Sequence, residues 1–304
     1  MSGKGIRKPP QFAGHETFPL PLLWLKKVFN RPGEPVPLRT FAEQEAIAHY
    51  GVGRNMAVSM RYWALASGFF REEGDDLVPS RLGRLILADG GLDPYLERPS
   101  TIWLVHWHVA SSLEKTTTAW YAFNHLASIE FDAHQLAEEV FALAQKEKWR
   151  ATRSTLKRDV EVFLRSYVRR GSSANEDAAE PLLAELGLIR EARLGGWHEF
   201  VRGAKPTLDA GVFAYALHDF WEKEGGSTAL TAEQICYAPG SPGRVFKLDE
   251  DSVVSRLMAL DEQTGGAWEW RDTAGLLQVH RIRDFDPWPL IEAGYSKSKL
   301  KRAA

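Results

Sequence analysis

The chain has 304 residues, of which 44% are hydrophobic and 26% are charged, and its formal net charge is −2. These proportions are close to those of an average globular protein and exclude a wholly disordered chain or a fibrous repeat. The single cysteine, Cys236, excludes an internal disulfide and a cysteine-rich zinc site. Because no apolar run approaches the roughly 20 residues that cross a bilayer, we expect no membrane contact. The single cysteine favours a reducing, cytoplasmic compartment, and the length predicts about two domains.

The first predicted domain covers residues 1–90 and contains an N-terminal arm, two helices and a hairpin. Thr40 and Glu43 have capping-box spacing, which predicts the start of a helix. Two glycines interrupt that helix before a second one begins at Arg54. Residues 69–78 alternate around a polar turn, which predicts a hairpin. This order is typical of a winged helix-turn-helix, and an αα-hairpin beside an unrelated β-turn is the alternative.

The rest of the chain is predicted to repeat this arrangement once. Residues 91–175 form a helical middle region whose aromatic side chains are mostly core. Residues 176–290 form a C-terminal domain with hairpins over 189–201 and 268–282 and a second winged-helix-like unit, followed by a basic tail at 291–304. The predicted fold class is therefore mainly α with small β-hairpins (α+β), with two winged helix-turn-helix-like units joined by a helical middle region.

A histidine and a carboxylate stand side by side near the amino terminus. His15 and Glu16 follow a glycine and precede Pro19, so a turn there can direct both side chains into a cleft. Such a pair can bind a metal or move a proton near neutral pH. The alternative is structural: the pair caps a helix that begins near Pro19 and holds the arm against the core.

The second helix of the first unit carries candidate DNA contacts. If this helix lies in a groove, its early residues Arg54, Asn55 and Ser59 meet bases or phosphates, and Arg61 grips a phosphate. The alternative is a solvated helix face or a protein-interaction surface.

The most basic stretch of the chain lies at residues 150–170, where seven Lys and Arg accompany two acidic residues. A helix that begins at Ser154 or Thr155 leaves Lys157, Arg158 and Arg165 available to solvent. Arg244 follows a Pro-Gly turn before another helix, where backbone amides favour anions. All four cations are predicted phosphate contacts, with a charged, solvated surface as the alternative.

These segments together resemble a bacterial family, domain of unknown function 4007, over about residues 12–284. The motifs that carry the resemblance occur in order along the chain: Gly14-His-Glu-Thr-Phe-Pro19, Gly51-Val-Gly-Arg-Asn-Met56 with Arg61-Tyr-Trp63, Asp93-Pro-Tyr95, Ile102-Trp-Leu-Val-His-Trp107, Leu156-Lys-Arg-Asp159, Pro181-Leu182 with Leu186-Gly-Leu188, and Ser241-Pro-Gly-Arg244. Each motif is short, but seven in register are unexpected by chance.

The resemblance implies a DNA nickase of a phage-defence pathway that places phosphorothioate on one DNA strand. The implied partners are double-stranded DNA and the sulfur-transfer and ATPase proteins of the same system, and a homodimer is allowed for. The alternative is a DNA-binding adaptor without chemistry that recruits the sulfur-transfer enzymes.

The implied reaction also calls for a divalent cation, Mg²⁺ or Mn²⁺, held by carboxylates that orient water. The family supplies no catalytic residues, so the candidates come from the sequence itself. We expect His15, Glu16 and Asp93 to form the catalytic centre, with Glu16 and Asp93 as metal ligands and Asp159 as the next candidate.

Overall fold

Short helices alternate with very short strands in a computed structural model that describes residues 10–29, 35–169 and 181–302. The helices are α1 (Trp24–Phe29), α2 (Glu43–Tyr50), α3 (Arg54–Ala66), α4 (Arg81–Leu87), α5 (Pro99–Ser111), α6 (Thr117–Asn124), α7 (Ala133–Lys146), α8 (Arg153–Tyr167), α9 (Ala210–Lys223), α10 (Ala232–Tyr237), α11 (Pro242–Val245), α12 (Glu250–Met258), α13 (Leu260–Thr264) and α14 (Trp288–Arg302). The strands are β1 (Val36–Pro37), β2 (Phe70–Glu73), β3 (Asp76–Pro79), β4 (Glu130–Phe131), β5 (Ile189–Arg193), β6 (Trp197–Phe200), β7 (Ala229–Thr231), β8 (Trp268–Thr273) and β9 (Leu276–Arg281). The α+β fold class is thus confirmed.

Unit 1 (residues 24–79) has the winged-helix order that the sequence predicts. Helices α1, α2 and α3 and strand β1 precede a hairpin, and the antiparallel sheet has the order β1-β3-β2. Gly51 ends α2 with a φ of 63°, a left-handed conformation that glycine adopts without strain. The predicted capping box is wrong, because Ala42 precedes α2 as its N-cap and Thr40 is buried in a 3-10 turn.

Unit 2 (residues 117–200) repeats the same order in the region predicted to be only helical. Helix α6, strand β4 and helices α7 and α8 precede the β5–β6 hairpin, and the sheet has the order β4-β6-β5. The pairs Glu130↔Glu199 and Phe131↔His198 join that hairpin to the middle region. The hairpin predicted over 189–201 is present, and its sheet partner makes a third winged-helix-like unit that sequence analysis missed.

Unit 3 (residues 210–281) is the second unit that the sequence predicts. Helix α9, strand β7 and helices α10 to α13 precede the β8–β9 hairpin, and the sheet order is β7-β9-β8. A capping box starts α10: the Thr231 hydroxyl accepts from the Gln234 amide, and the Gln234 side chain accepts from the Thr231 amide.

Helix α5 lies where the three units meet. Trp103 and Trp107 are almost completely buried, and their indole N–H groups donate to Thr207 and Asp219, at 3.0 and 2.8 Å. Buried apolar side chains form one continuous cluster from Leu20 to Tyr295, so the units share a core. The segment predicted as a basic tail begins inside α14, where Ile291 and Tyr295 are buried. No helix in the described ranges is long and apolar enough to span a membrane.

Candidate nucleic-acid interface

His15 does not open into a cleft but anchors the N-terminal segment, defined here as residues 10–20, to helix α8. Its side chain is buried, and its Nε2 lies 2.7 Å from Oδ1 of Asp159. The same carboxylate accepts a hydrogen bond from the Ala13 amide at 2.7 Å and one from the Thr118 hydroxyl of α6. Asp159 therefore ties the N-terminal segment to unit 2.

The N-terminal segment also lies against helix α3. The ring of His15 meets that of Tyr62 edge-on at 5.7 Å, and the Trp63 indole donates to the Phe18 carbonyl at 2.9 Å. A Cβ on Gly14 would come within 2.5 Å of the Tyr62 ring, so only glycine fits this approach. Burial, followed by the Asp159 charge, raises the pKa of Tyr62. The segment thus bridges α3 and α8.

Glu16 lies next to this anchor in strained backbone. It is half-buried, and its φ of 55° is in the left-handed region, as is that of Ala13 at 58°. Non-glycine residues adopt such angles at a cost, and they often occur at functional sites. The helix expected near Pro19 is absent, because the first described helix begins at Trp24. His15 and Glu16 therefore do not cap a helix.

Asp93 holds the start of helix α5. Its Oδ1 accepts from the Glu97 amide at 3.0 Å, and its Oδ2 accepts from the Arg98 amide at 2.9 Å and the Thr101 hydroxyl at 2.6 Å. Both carboxylate oxygens of this buried side chain are therefore already used.

Asp93, one of the two predicted metal ligands, already accepts three hydrogen bonds from its own segment. Asp93 is absent from the residues that line the small cavity beside His15, and its oxygens serve backbone amides and Thr101. In the part of the chain that the structure describes, no group of three or more His, Cys, Asp or Glu side chains is placed to hold a metal ion. The pairing of Glu16 with Asp93 around a cation therefore stays a prediction.

Helix α3 exposes only part of its predicted DNA-binding face. Arg54 and Asn55 are exposed in its first turn, whereas Ser59 is fully buried and is removed from any surface that contacts DNA. Arg61 is half-exposed and forms an ion pair with Glu72 of the hairpin, with Nη2 to Oε1 at 2.6 Å. A phosphate would compete with that carboxylate for the Arg61 guanidinium.

Helix α8 presents the larger basic surface, as predicted. Its apolar residues, including Leu156, Val160 and Phe163, face the core, and its hydroxyl N-cap is Thr152. Lys157, Arg158 and Arg165 are exposed on the opposite face. Among the described residues none of the three cations forms an ion pair, and Arg165 donates to the Thr17 carbonyl at 3.2 Å. We call Lys157, Arg158 and Arg165 the α8 basic face.

Arg244 is half-exposed on the short helix α11, which Ser241 caps. Its Nε donates to the Tyr237 carbonyl at 3.0 Å, which leaves the two terminal nitrogens of the guanidinium for other partners. Arg244 belongs to a group of cations with Lys247 and Arg202. Sequence analysis did not connect them, because Arg202 lies about 40 positions earlier in the chain, after β6.

The structure assigns Asp159 a larger role than the sequence did. The residue lies on the apolar side of α8, three positions after Leu156 and four before Phe163. A carboxylate at such a position must be satisfied by partners from elsewhere in the fold, and this spacing is the signal that points to it. The partners themselves, His15 and Thr118, are 144 and 41 residues away along the chain.

Three winged-helix-like units around a shared core define the fold class of this protein, an α+β fold with small antiparallel sheets. The sequence matches the family described as "Protein of unknown function (DUF4007)" over residues 12–295, and the chain belongs to that family. No curated protein matches it.

The fold is similar to that of two solved structures. One is a magnesium-ion-bound SspB crystal structure, with a TM-score of 0.83 and 24% identity, covering 95% of this chain and 89% of that one. The other is an SspB crystal structure, with a TM-score of 0.80 and 22% identity, covering 96% and 94%. At these identities the likeness establishes the shared fold.

Proposed function

We propose that this protein is the DNA-nicking component of a system that places phosphorothioate on one strand of DNA as part of phage defence. The observation that carries the proposal is the α8 basic face. In a winged-helix unit the helix before the hairpin is the one that enters or follows a groove of duplex DNA. Lys157, Arg158 and Arg165 lie on that helix without acidic partners among the described residues, as phosphate contacts require.

The turn around His15 and Glu16 in the N-terminal segment supports a role of this segment in the reaction. It is attached to α8 by the His15–Asp159 pair and carries Glu16 in strained backbone at the edge of the basic face. A phosphate bound by Arg165, which touches the Thr17 carbonyl, would lie close to this turn. Because His15 is buried, it positions the turn. Glu16 is the group that reaches solvent, where it can orient a water molecule or accept a proton from it.

The similarity to a magnesium-bound SspB structure supports a requirement for a divalent cation. No group of three or more His, Cys, Asp or Glu side chains in the described ranges is placed to hold it, so no step is assigned to a metal. We further propose that the sulfur-transfer and ATPase proteins of the same system are partners, alongside duplex DNA.

A nicking assay on supercoiled plasmid tests the proposal. Wild-type protein is expected to convert supercoiled plasmid to open circles in Mg²⁺ or Mn²⁺ but not in EDTA. Glu16→Gln is expected to abolish nicking while its Tm and DNA affinity stay at the wild-type values. Glu161→Gln, an exposed carboxylate on α8, is the matched control and is expected to nick normally. Nicking retained by Glu16→Gln would end the catalytic assignment of Glu16.

A non-catalytic adaptor is the second candidate. The absence of a carboxylate cluster from the described residues favours it, because such a cluster is what holds the cation in metal-dependent cleavage. An adaptor binds duplex DNA through the same α8 basic face but leaves supercoiled plasmid intact in Mg²⁺ and in Mn²⁺. It is expected to retain the sulfur-transfer proteins on DNA in a pull-down with immobilised duplex.

A further inference from the structure

A second group of cations lies between units 2 and 3. Arg202 follows strand β6, and Arg244 and Lys247 flank the end of helix α11. The Gly203 amide donates to the Lys247 carbonyl at 3.0 Å, which joins the two segments. The segment that follows β6 and the end of α11 are thereby held side by side.

Lys247 is the unusual member of this group. Its side chain is fully buried, its backbone has a φ of 52°, and its ammonium lies 3.9 Å from the centre of the Phe200 ring. The ammonium donates to the Phe123 carbonyl at the end of α6, at 2.6 Å. A buried cation is expensive unless an anion compensates it, and no acidic residue in the described ranges pairs with it.

The neighbouring charges increase that cost. Burial, then Arg202 and Arg244, lower the pKa of Lys247, and Arg244 also lowers the pKa of Arg202. The acidic group closest in sequence, Asp249, accepts from the Ser252 amide and acts electrostatically on Lys205. The Lys205 ammonium is bound to the Val201 and Gly203 carbonyls, at 2.9 and 3.1 Å, and adds a further positive charge that interacts with Arg202.

A contact with the Phe123 carbonyl alone explains Lys247 as a partner of the α6 carboxyl end, where cations are favoured. It does not explain why two further guanidinium groups, one exposed and one half-exposed, act on the same ammonium. An anion bound from outside the protein would offset the repulsion between these three cations. Within the described ranges the terminal nitrogens of Arg244 make no hydrogen bond, and a guanidinium fork matches phosphate geometry.

We propose that Arg202, Arg244 and Lys247 form a phosphate-binding site distinct from the α8 basic face. The two arginines hold the phosphate oxygens at the surface, and the bound anion favours the protonated form of the Lys247 amine beneath them. That the phosphate belongs to a DNA backbone rests on the proposed function; inorganic phosphate or pyrophosphate is the other source of the same group.

The first arm of the test needs no DNA. Raising inorganic phosphate or pyrophosphate, at ionic strength matched with chloride, is expected to raise the Tm of the wild-type protein. Arg202→Ala and Arg244→Ala are each expected to remove most of that rise while folding normally, because their side chains are not buried. Lys223→Ala is the control, since its ammonium is paired with Asp219 at 2.7 Å, and it is expected to respond like wild type. Lys247→Met is expected to lose the response as well, but the arginine variants decide because a buried substitution can unfold the chain.

The second arm measures duplex affinity over a salt series. Each arginine variant is expected to lower the slope of log affinity against log salt by about one unit, the effect of one lost phosphate contact. A phosphate-dependent Tm rise that needs both arginines, together with duplex binding that does not, would confirm the site and assign it to free phosphate. A wild type that fails to bind duplex overturns the proposed function and leaves the first arm to decide the site. Variants that match wild type in both arms overturn the site itself.

Discussion

Units 2 and 3 have the same order of elements but opposite surfaces on corresponding helices. Helix α8 of unit 2 exposes Lys157, Arg158 and Arg165, whereas α12 of unit 3 begins with Glu250 and Asp251, both exposed. The arginine of α12, Arg256, donates to the Lys205 and Leu208 carbonyls and is thereby turned toward the protein.

This difference shows that a winged-helix order does not by itself define a DNA-binding surface. The order fixes which helix stands in front of the hairpin, and the exposed residues of that helix decide whether it attracts or repels phosphate. Unit 2 is accordingly the unit that we expect to hold duplex DNA through a helix, and unit 3 contributes only through the cations around Arg244.

The largest expected effect concerns the buried carboxylate of α8, Asp159, whereas the acidic residues that begin α12 are exposed. Asp159→Ala removes the shared acceptor of His15, Ala13 and Thr118 and leaves them unsatisfied. We expect a loss of about 3 kcal/mol in the free energy of unfolding, measured by urea denaturation. Glu161→Ala, an exposed change on the same helix, is expected to cost less than about 0.5 kcal/mol. Equal effects of the two substitutions would show that the anchor contributes nothing.

Acid is expected to weaken the core that joins the units. Burial lowers the pKa of His106 to about 3 and that of His108 to about 4. Both are neutral in the folded protein at pH 5 but take up protons near pH 6.5 when unfolded, so stability falls as pH drops below about 6.5.

Each of these two histidines contributes up to about 1.4 kcal/mol per pH unit in that range. The measurement is the free energy of unfolding against pH, with His134→Gln, an exposed histidine, as a control that keeps the same profile. A flat profile between pH 6.5 and 5 would contradict the burial of His106 and His108 in neutral form.

Charge reversal compares the two helices directly. Lys157→Glu with Arg158→Glu is expected to lower the salt slope of duplex binding by about two units, which is about a tenfold loss of affinity at moderate salt. Asp251→Lys on α12 is expected to leave the affinity unchanged or slightly raised. Binding that is insensitive to the α8 reversal would reduce Lys157 and Arg158 to a solvated surface.

Helix α3 of unit 1 is expected to show the smallest effect. Arg54→Ala should lower the salt slope by about one unit, and Arg61→Ala by less, because Arg61 is already paired with Glu72. Ser59→Ala should not change duplex binding, since the side chain is buried. Wild-type binding by Arg54→Ala across the salt series would exclude α3 from the interface.

The sequence by itself determined the local elements. On α8, Leu156, Val160, Phe163 and Tyr167 recur at helical spacing, and this periodicity predicts both the helix and the exposure of Lys157 and Arg158. Glycine at position 51 and the Thr231 capping box likewise fixed where helices end and begin, because these are interactions between residues close in the chain.

Only the tertiary structure decided what those elements do together. Strand β4 has two residues and becomes recognisable only by pairing with β6 about 70 positions later. The local patterns of α8 and of the β5–β6 hairpin therefore did not show that they belong to one unit. Burial placed Asp93 at the start of α5 and Ser59 inside unit 1, and it joined His15 to Asp159. A backbone hydrogen bond joined Gly203 to Lys247. Desolvation and long-range hydrogen bonding determine these outcomes, and neither depends on the sequence neighbours of the residue concerned.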